Sequence, residues 1–354
     1  MTALYGEGGP TLRTGWAIMP GLLKTAEYHV DERAAAMSTF TVRISSKQRE
    51  TDEIAVFELV SADGAALPEF SPGAHIDVHV AGLVRQYSLC NGPQDSDRYL
   101  IAVKREAQSR GGSRAMHELQ AGDLIEISAP RNHFPLDPTP GPKLFLAAGI
   151  GVTPLLSMTR HLLARGLPFE LQVFTRSPEH TAFRDLLAGT EFQGKASFHY
   201  GFDAEALRAH LQALLARRAE GAQLYLCGPR PFMDLVVATA AAASWPPEAV
   251  HLEYFSADPG LEDAPRRAFR VKLARSGASY EIPEGKSIVQ ALAEQGVDIP
   301  TACEQGICGT CLTGVVDGTP DHRDSFLSDE EKRAGKQILP CVSRAKSPLL
   351  VLDL

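Results

Sequence analysis

Near the C-terminal end of this 354-residue chain, the stretch TACEQGICGTCL (residues 301–312) holds Cys303, Cys308 and Cys311, and Cys341 follows after 29 further residues. The spacing C-x4-C-x2-C…C gives four thiolates, three from one tight loop, and this is how a plant-type [2Fe–2S] centre is held. Gly306 and Gly309 supply the backbone freedom that such a loop needs. Other cysteine chemistries fit less well. A structural zinc knuckle sets one C-x2-C against a second close pair, and Cys303 and Cys341 do not make one. Disulfides belong to oxidising compartments, and no secretory signal is visible: residues 1–10 lack a basic run, and Pro20 and Gly21 interrupt the apolar stretch 16–23. Cys303, Cys308, Cys311 and Cys341 are therefore read as metal ligands.

Two loops upstream suit a nucleotide. Gly149-Ile150-Gly151-Val152-Thr153-Pro154 follows an apolar run at 143–148 and opens a helical pattern. Strand, glycine turn and helix in that order bring backbone N–H groups to a dinucleotide pyrophosphate, although the third glycine of the dinucleotide fingerprint is missing here. Cys227-Gly228-Pro229 ends a later apolar run. Ligands of parallel sheets sit at the carboxyl ends of the strands, so the two loops are expected to face one site. The ordinary fate of a cysteine such as Cys227 is an inert core position.

Two earlier motifs suit a flavin. In Arg85-Gln86-Tyr87-Ser88, strand alternation sends Arg85 and Tyr87 to one face and Gln86 and Ser88 to the other. A tyrosine ring packs on a flat isoalloxazine, and a serine hydroxyl hydrogen-bonds its N5 edge. In Arg110-Gly111-Gly112-Ser113, two glycines, an arginine and a helix start would receive a terminal phosphate. Alone, that motif also reads as a glycine turn capped by Ser113.

The elements that must carry these residues follow from periodicity. Six short period-two runs, at 40–45, 54–60, 75–80, 85–90, 99–104 and 123–128, read as an antiparallel barrel or sandwich, with a helix at 113–119. From 143 to 254 strands and helices alternate, including a helix expected at 181–187, which implies a parallel sheet covered on both faces. A hairpin at 269–273 and 279–282, a helix at 287–295 and a strand at 349–352 surround the cysteine loop. The expected divisions are an N-terminal extension at 1–36, with a short helix at 24–36, a flavin barrel at 37–140, a nucleotide domain at 141–258, a linker at 259–267 and a β-grasp ferredoxin domain at 268–354.

A net charge of −8 argues against a nucleic-acid partner, and no apolar run has the length of a membrane span. With four of six cysteines assigned to the cluster and no signal for export, a reduced cytoplasmic setting is expected.

These motifs, in this order and spacing, make residues 38–354 resemble the phthalate dioxygenase reductase family, which includes vanillate demethylase reductases. The resemblance implies FMN, a [2Fe–2S] cluster, and NADH as electron source. It implies that Arg85, Tyr87 and Ser88 hold the flavin ring and ribityl chain, and that Arg110, Gly111, Gly112 and Ser113 hold the phosphate. It implies that Gly149, Gly151, Thr153 and Pro154, with Gly228 and Pro229, bind the nicotinamide nucleotide. Cys227 would stand beside the nicotinamide, and Tyr254 or Phe255 would put a ring near the flavin. Chemistry asks for the same order: a nicotinamide gives two electrons at once, a cluster takes one, and a flavin does both. FAD is the alternative flavin. Arg176, after the second parallel strand, suits a 2′-phosphate and makes NADPH the alternative nucleotide. The implied partner is a terminal oxygenase of Rieske type, with a haem monooxygenase as the alternative. Glu304 to Ile307 and the acidic stretch 317–324 are its expected docking face.

Overall fold

The computed structural model describes residues 39–107, 109, 111–255 and 267–354. The 1–36 extension with its expected helix, Arg110 and all of the 259–267 connection except Arg267 lie outside the described residues.

Alternating apolar residues fold the first part into strands β1 (Thr39–Arg49), β2 (Ile54–Ser61), β3 (His75–Val80), β4 (Leu83–Ser88), β5 (Tyr99–Lys104) and β6 (Leu124–Ser128), with helix α1 (Gly112–Glu118) before β6. The antiparallel order is β4-β3-β6-β1-β2-β5. An isolated bridge from Leu89 to Ile101 brings the two edges together, so the sheet is a nearly closed barrel. The strand expected at 85–90 begins and ends two residues earlier: past Ser88, Leu89 N–H donates to Ala74 O, and Cys90 N–H donates to Leu100 O of β5.

The second part is a parallel sheet of β7 (Lys143–Ala148), β8 (Phe169–Thr175), β9 (Ala196–Tyr200), β10 (Gln223–Cys227) and β11 (Val250–Glu253), ordered β11-β10-β7-β8-β9. Helices α2 (Val152–Ala164), α3 (Arg184–Ala188), α4 (Ala204–Leu215) and α5 (Arg230–Ala242) connect the strands. Strand alternation sends Phe145 and Ala147 into the core beneath α2, and Leu146 and Ala148 into the core beneath α4 and α5. The strand order reverses between β7 and β10, which is where such sheets open a crevice for ligands. The helix expected at 181–187 is cut to α3. Phe183 takes a left-handed φ of 58°, and its N–H donates to Glu50 of the barrel at 2.6 Å, so a tertiary contact replaces the first helical turn.

The last part is a mixed sheet of β12 (Phe269–Leu273), β13 (Ser279–Ile282), β14 (Thr313–Asp317), β16 (Gln337–Ile338) and β18 (Leu349–Leu352), ordered β13-β12-β18-β14-β16. Helix α6 (Ile288–Ala293) crosses it, β15 (Pro320–Asp321) pairs with β17 (Arg344–Ala345), and α7 (Asp329–Ala334) lies between them in sequence. First and last strands run parallel and the others antiparallel, which is a β-grasp.

Ile54, Cys90 and Ala102 of the barrel share one core with α2, β7 and β8. The β-grasp has its own core, and Val84 of β4 packs against Ala302, Cys303 and Cys308. Among the described residues no helix is long and apolar enough to cross a membrane.

Candidate active site

A cleft of about 1400 Å³ opens where the three sheets meet. Arg85, Gln86, Tyr87 and Ser88 line it from β4, and Ser109 and Ser113 from the turn into α1. Gly149, Thr153, Gly228 and Pro229 line it from the switch point, Tyr254 and Phe255 from the end of β11, and Gln305, Ile307 and Phe326 from the β-grasp. Thus the motifs that the sequence scatters over more than two hundred residues are brought to one cavity.

Gly111, Gly112, Gly151, Pro154 and Cys227 stand behind that wall. Gly112 is buried against Arg85, and a Cβ there would come within 2.5 Å of the arginine Cγ. The turn is closed by hydroxyls: Gly111 N–H donates to Ser109 Oγ at 3.1 Å, and Ser113 Oγ lies 3.0 Å from it. No side chain caps the first turn of α1. A small, hydroxyl-lined turn beside Arg85, with backbone amides left over, fits a phosphate.

At the switch point the two loops touch. A Cβ on Gly151 would lie 2.2 Å from the carbonyl oxygen of Cys227, so only glycine lets the first loop approach β10 this closely. Cys227 has no exposure, and burial, then the charge of Glu253, pushes its thiol well up. It is a neutral thiol held under the cleft floor. Glu253 is its neighbour in register on β11. Its Oε2 is buried without a hydrogen-bond partner, and burial raises the carboxyl to about 8. The sequence marked Glu253 only as the residue before Tyr254; its burial depends on strand register and left no local signal.

Between β4 and the cysteine loop runs a row of rings. Gln86 Nε2 lies 3.1 Å from His75 Nε2 and 3.0 Å from Asp77 Oδ1. The His75 and His133 rings are 5.4 Å apart, and His133 meets Phe326 edge to face at 5.4 Å. Burial holds His75 well below the ordinary histidine range, hence neutral. Sequence reading missed this row because His133 falls in the proline-rich stretch 132–142, beyond the last of the six period-two runs.

The four cysteines are buried and free of disulfides. They stand as two pairs. Cys311 and Cys341 sulfurs are 3.3 Å apart, and the Cys303 thiol donates to Cys308, which holds the Cys308 thiol below the ordinary cysteine range. Among the described residues no three His, Cys, Asp or Glu side chains form a single-metal group. Two thiol pairs suit a dinuclear cluster with two thiolates per iron, and do not suit one zinc. Gly306 and Gly309 hold φ of 69° and 72°, and a Cβ on Gly309 would strike the Phe326 ring at 2.3 Å. Gln305 N–H donates to Cys303 Sγ at 3.3 Å, a contact that favours thiolate.

The acidic docking stretch needs correction. Asp324 is 3 % exposed and accepts from Leu327 N–H and Ser343 Oγ at 2.8 and 3.2 Å, so it is a structural carboxylate. Asp321 pairs with Arg323 at 2.8 Å. Asp317 is exposed and lines a surface groove together with Lys332, Arg333, Lys336 and Lys346, so the stretch presents carboxylate beside cations and not an acidic face alone.

The 2Fe-2S iron-sulfur cluster binding domain family matches residues 271–346. The chain is 44% identical over 315 residues to the vanillate O-demethylase oxidoreductase of Pseudomonas sp. (strain HR199 / DSM 7063), covering 88% of this chain and 99% of that one. A solved phthalate dioxygenase reductase, described as a modular structure for electron transfer from pyridine nucleotides to [2Fe-2S], superposes with TM-score 0.70 at 42% identity, covering 90% and 98% of the two chains. An intact type IV self-sufficient cytochrome P450 monooxygenase gives TM-score 0.77 at 35% identity, over 89% of this chain and 41% of that one. Barrel, parallel sheet and cluster-binding β-grasp around one cleft, together with these likenesses, show that the chain belongs to the phthalate dioxygenase reductase family, oxygenase reductase components that carry electrons from a pyridine nucleotide through a flavin to a [2Fe–2S] centre.

Proposed function

We propose that this reductase takes electrons from NADH, holds FMN on β4 and the turn into α1, and delivers single electrons to a Rieske-type terminal oxygenase in the cytoplasm. When bound, the flavin supplies the conversion from two-electron to one-electron transfer, and the cluster supplies one-electron carriage. Every other part belongs to the chain. Tyr87 and Ser88 would hold the flavin ring, Arg85 braces the turn at Gly112, and Ser113, with Gly111, would receive the phosphate. Gly149, Gly151, Thr153 and Pro154 shape the pyrophosphate loop, and Gly228 and Pro229 close its far side. Tyr254 and Phe255 cover the mouth between the nucleotide loops and β4. Cys227, a neutral thiol, sets the floor by contact and not by nucleophilic attack.

The observation that carries this reading is the single cleft lined by β4, both nucleotide loops and the cysteine-bearing β-grasp. NADH is favoured over NADPH because Arg176, the nearest candidate for a 2′-phosphate, lies 3.3 Å from the Glu53 carboxylate, and both line the cleft. A carboxylate there repels a phosphate and accepts from a ribose hydroxyl. The six free thiols support a reducing compartment. A haem monooxygenase is the second reading for the partner, favoured by the likeness to the self-sufficient P450 chain.

Anaerobic titration tests the reading. NADH is expected to bleach flavin absorbance in the wild type and in Cys308→Ser, whereas cytochrome c reduction through the cluster is lost in Cys308→Ser alone. Failure of NADH to bleach the wild-type flavin sinks the proposal. Reconstitution with a Rieske oxygenase and with a haem monooxygenase separates the two partners by coupled turnover.

A further inference from the structure

Arg230 begins α5 directly after Pro229, so its backbone belongs to the second nucleotide loop. Its side chain is 17% exposed and turns towards the β-grasp. Nη2 donates to Ser325 Oγ at 2.7 Å. The guanidinium also lies over the Tyr254 ring, 4.2 Å from its centroid. Asp234, one helical turn on, stands 3.9 Å from Arg230 and accepts from the Tyr254 hydroxyl at 3.5 Å. On the far side, Ser325 N–H donates to Gly306 O at 2.9 Å, and Gly306 sits between the ligands Cys303 and Cys308. Next along the chain, Phe326 covers Gly309 and meets His133 of the barrel side.

One side chain therefore joins the nucleotide loop, the ring at the cleft mouth and the cluster loop. We infer that Arg230 is a positioning residue that couples occupancy of the Gly228–Pro229 loop to the seating of the cluster loop; this rests on the nucleotide site proposed above. The physical basis is differential contact. A nucleotide that enters between Pro229 and Tyr254 alters the stack on which the guanidinium rests, and the guanidinium is the donor to Ser325. Its planar fork allows stacking and donation together, which a lysine ammonium cannot reproduce. Linkage is reciprocal: what the nucleotide does to the cluster loop, the cluster loop does to nucleotide affinity.

The experiment uses the full holoprotein and NAD+ as probe. Peptide-level hydrogen exchange over residues 303–311 and 323–328 is compared with and without NAD+ in wild type, Ser325→Ala, Arg230→Lys and Arg230→Ala. NAD+ is expected to change exchange of both segments at least about threefold in the wild type, and to leave them unchanged in the three variants. NAD+ affinity is expected to be non-additive in the Arg230→Ala/Ser325→Ala cycle, since both changes break one link. Ser325→Ala keeps the Arg230–Tyr254 stack and the backbone bond to Gly306, so it isolates the link if an arginine variant misfolds. An NAD+ effect on exchange that persists in Ser325→Ala, or is missing from wild type that binds NAD+, overturns the coupling. Failure of NAD+ to bind the wild type overturns the nucleotide site itself, and the coupling with it.

Discussion

Glu253 and Cys227 occupy paired positions on β11 and β10, and both are held neutral by their surroundings. For the carboxyl this has a thermodynamic consequence. Its folded value, about 8, lies above the ordinary 4.5, so the folded chain holds the proton more tightly than the unfolded chain. The folded state carries no penalty from this group below about pH 4.5, loses stability as pH rises from there, and has lost all of it above about pH 8. Glu253→Gln removes the titration. The variant is expected to gain on the wild type progressively between pH 5 and 9, by on the order of 2–4 kcal/mol, with the midpoint of denaturant unfolding as the measurement. An equal difference at pH 5 and pH 9 would mean that the carboxyl keeps its solvent. Two kinds of residue thus differ in how openly the sequence displays them. Cluster ligands are set by local spacing and can be read directly, whereas the neutrality of Glu253 comes from its neighbours across a parallel ladder and from burial.

At the scale of elements, the two nucleotide loops depend on one close approach. Gly151 lets the turn after β7 sit against the Cys227 carbonyl at the end of β10, and a methyl group there meets fixed backbone. Gly151→Ala must push the turn outward. We expect NADH affinity to fall at least about tenfold, the size of a modest overpacking penalty of 1–3 kcal/mol. Flavin content should be unchanged, because the strain falls on the backbone of Cys227 and Gly228 and not on β4 or the turn into α1; equilibrium titration and flavin extraction check both. Most strands of this sheet were legible, since 143–148 and 223–227 are short, mostly apolar runs and 169–175 and 196–200 interleave apolar with polar residues, each between turn residues. Elements fixed by contacts made elsewhere were not. The helix expected at 181–187 lost its first turn to the Phe183–Glu50 bond. Strands β14 and β16 are short and follow the cysteine loop, where apolar spacing serves the cluster as well as the sheet. Helix α7 buries no residue, so it has no apolar period; its one signal, the Ser328–Glu331 capping box, stood in the sequence and was overlooked. The barrel motifs came through because Arg85 to Ser88 is a single strand, and the cleft was legible only as far as strands of known order converge on it.

At the scale of the whole molecule, electron flow from the flavin proposed on β4 requires the cluster loop to lie close by, and β4 itself packs against that loop. Val84 packs on Ala302, Cys303 and Cys308, one residue before the Arg85–Ser88 motif. The barrel and parallel sheet share a core, but the β-grasp keeps its own and meets the barrel through this patch and the His133–Phe326 pair. This small joint lies between two bodies that have separate cores. Val84→Asp tests the joint. A carboxylate placed against the thiolate side of the cluster loop is unpaired and repelled, and a penalty of about 1.4 kcal/mol lowers the docked-to-undocked ratio tenfold, and the docked population with it. The rate of electron passage from flavin to cluster falls with that population when undocked molecules transfer none. Stopped-flow mixing with NADH should therefore show flavin bleaching at the wild-type rate, followed by cluster reduction slowed by up to about tenfold for such a penalty. High salt should recover part of the loss, because screening weakens the repulsion where Val84 is only partly buried. Wild-type kinetics in both phases would show that the β4 patch is not the path, and equal slowing of both phases would show that the barrel and the β-grasp do not act as separate bodies.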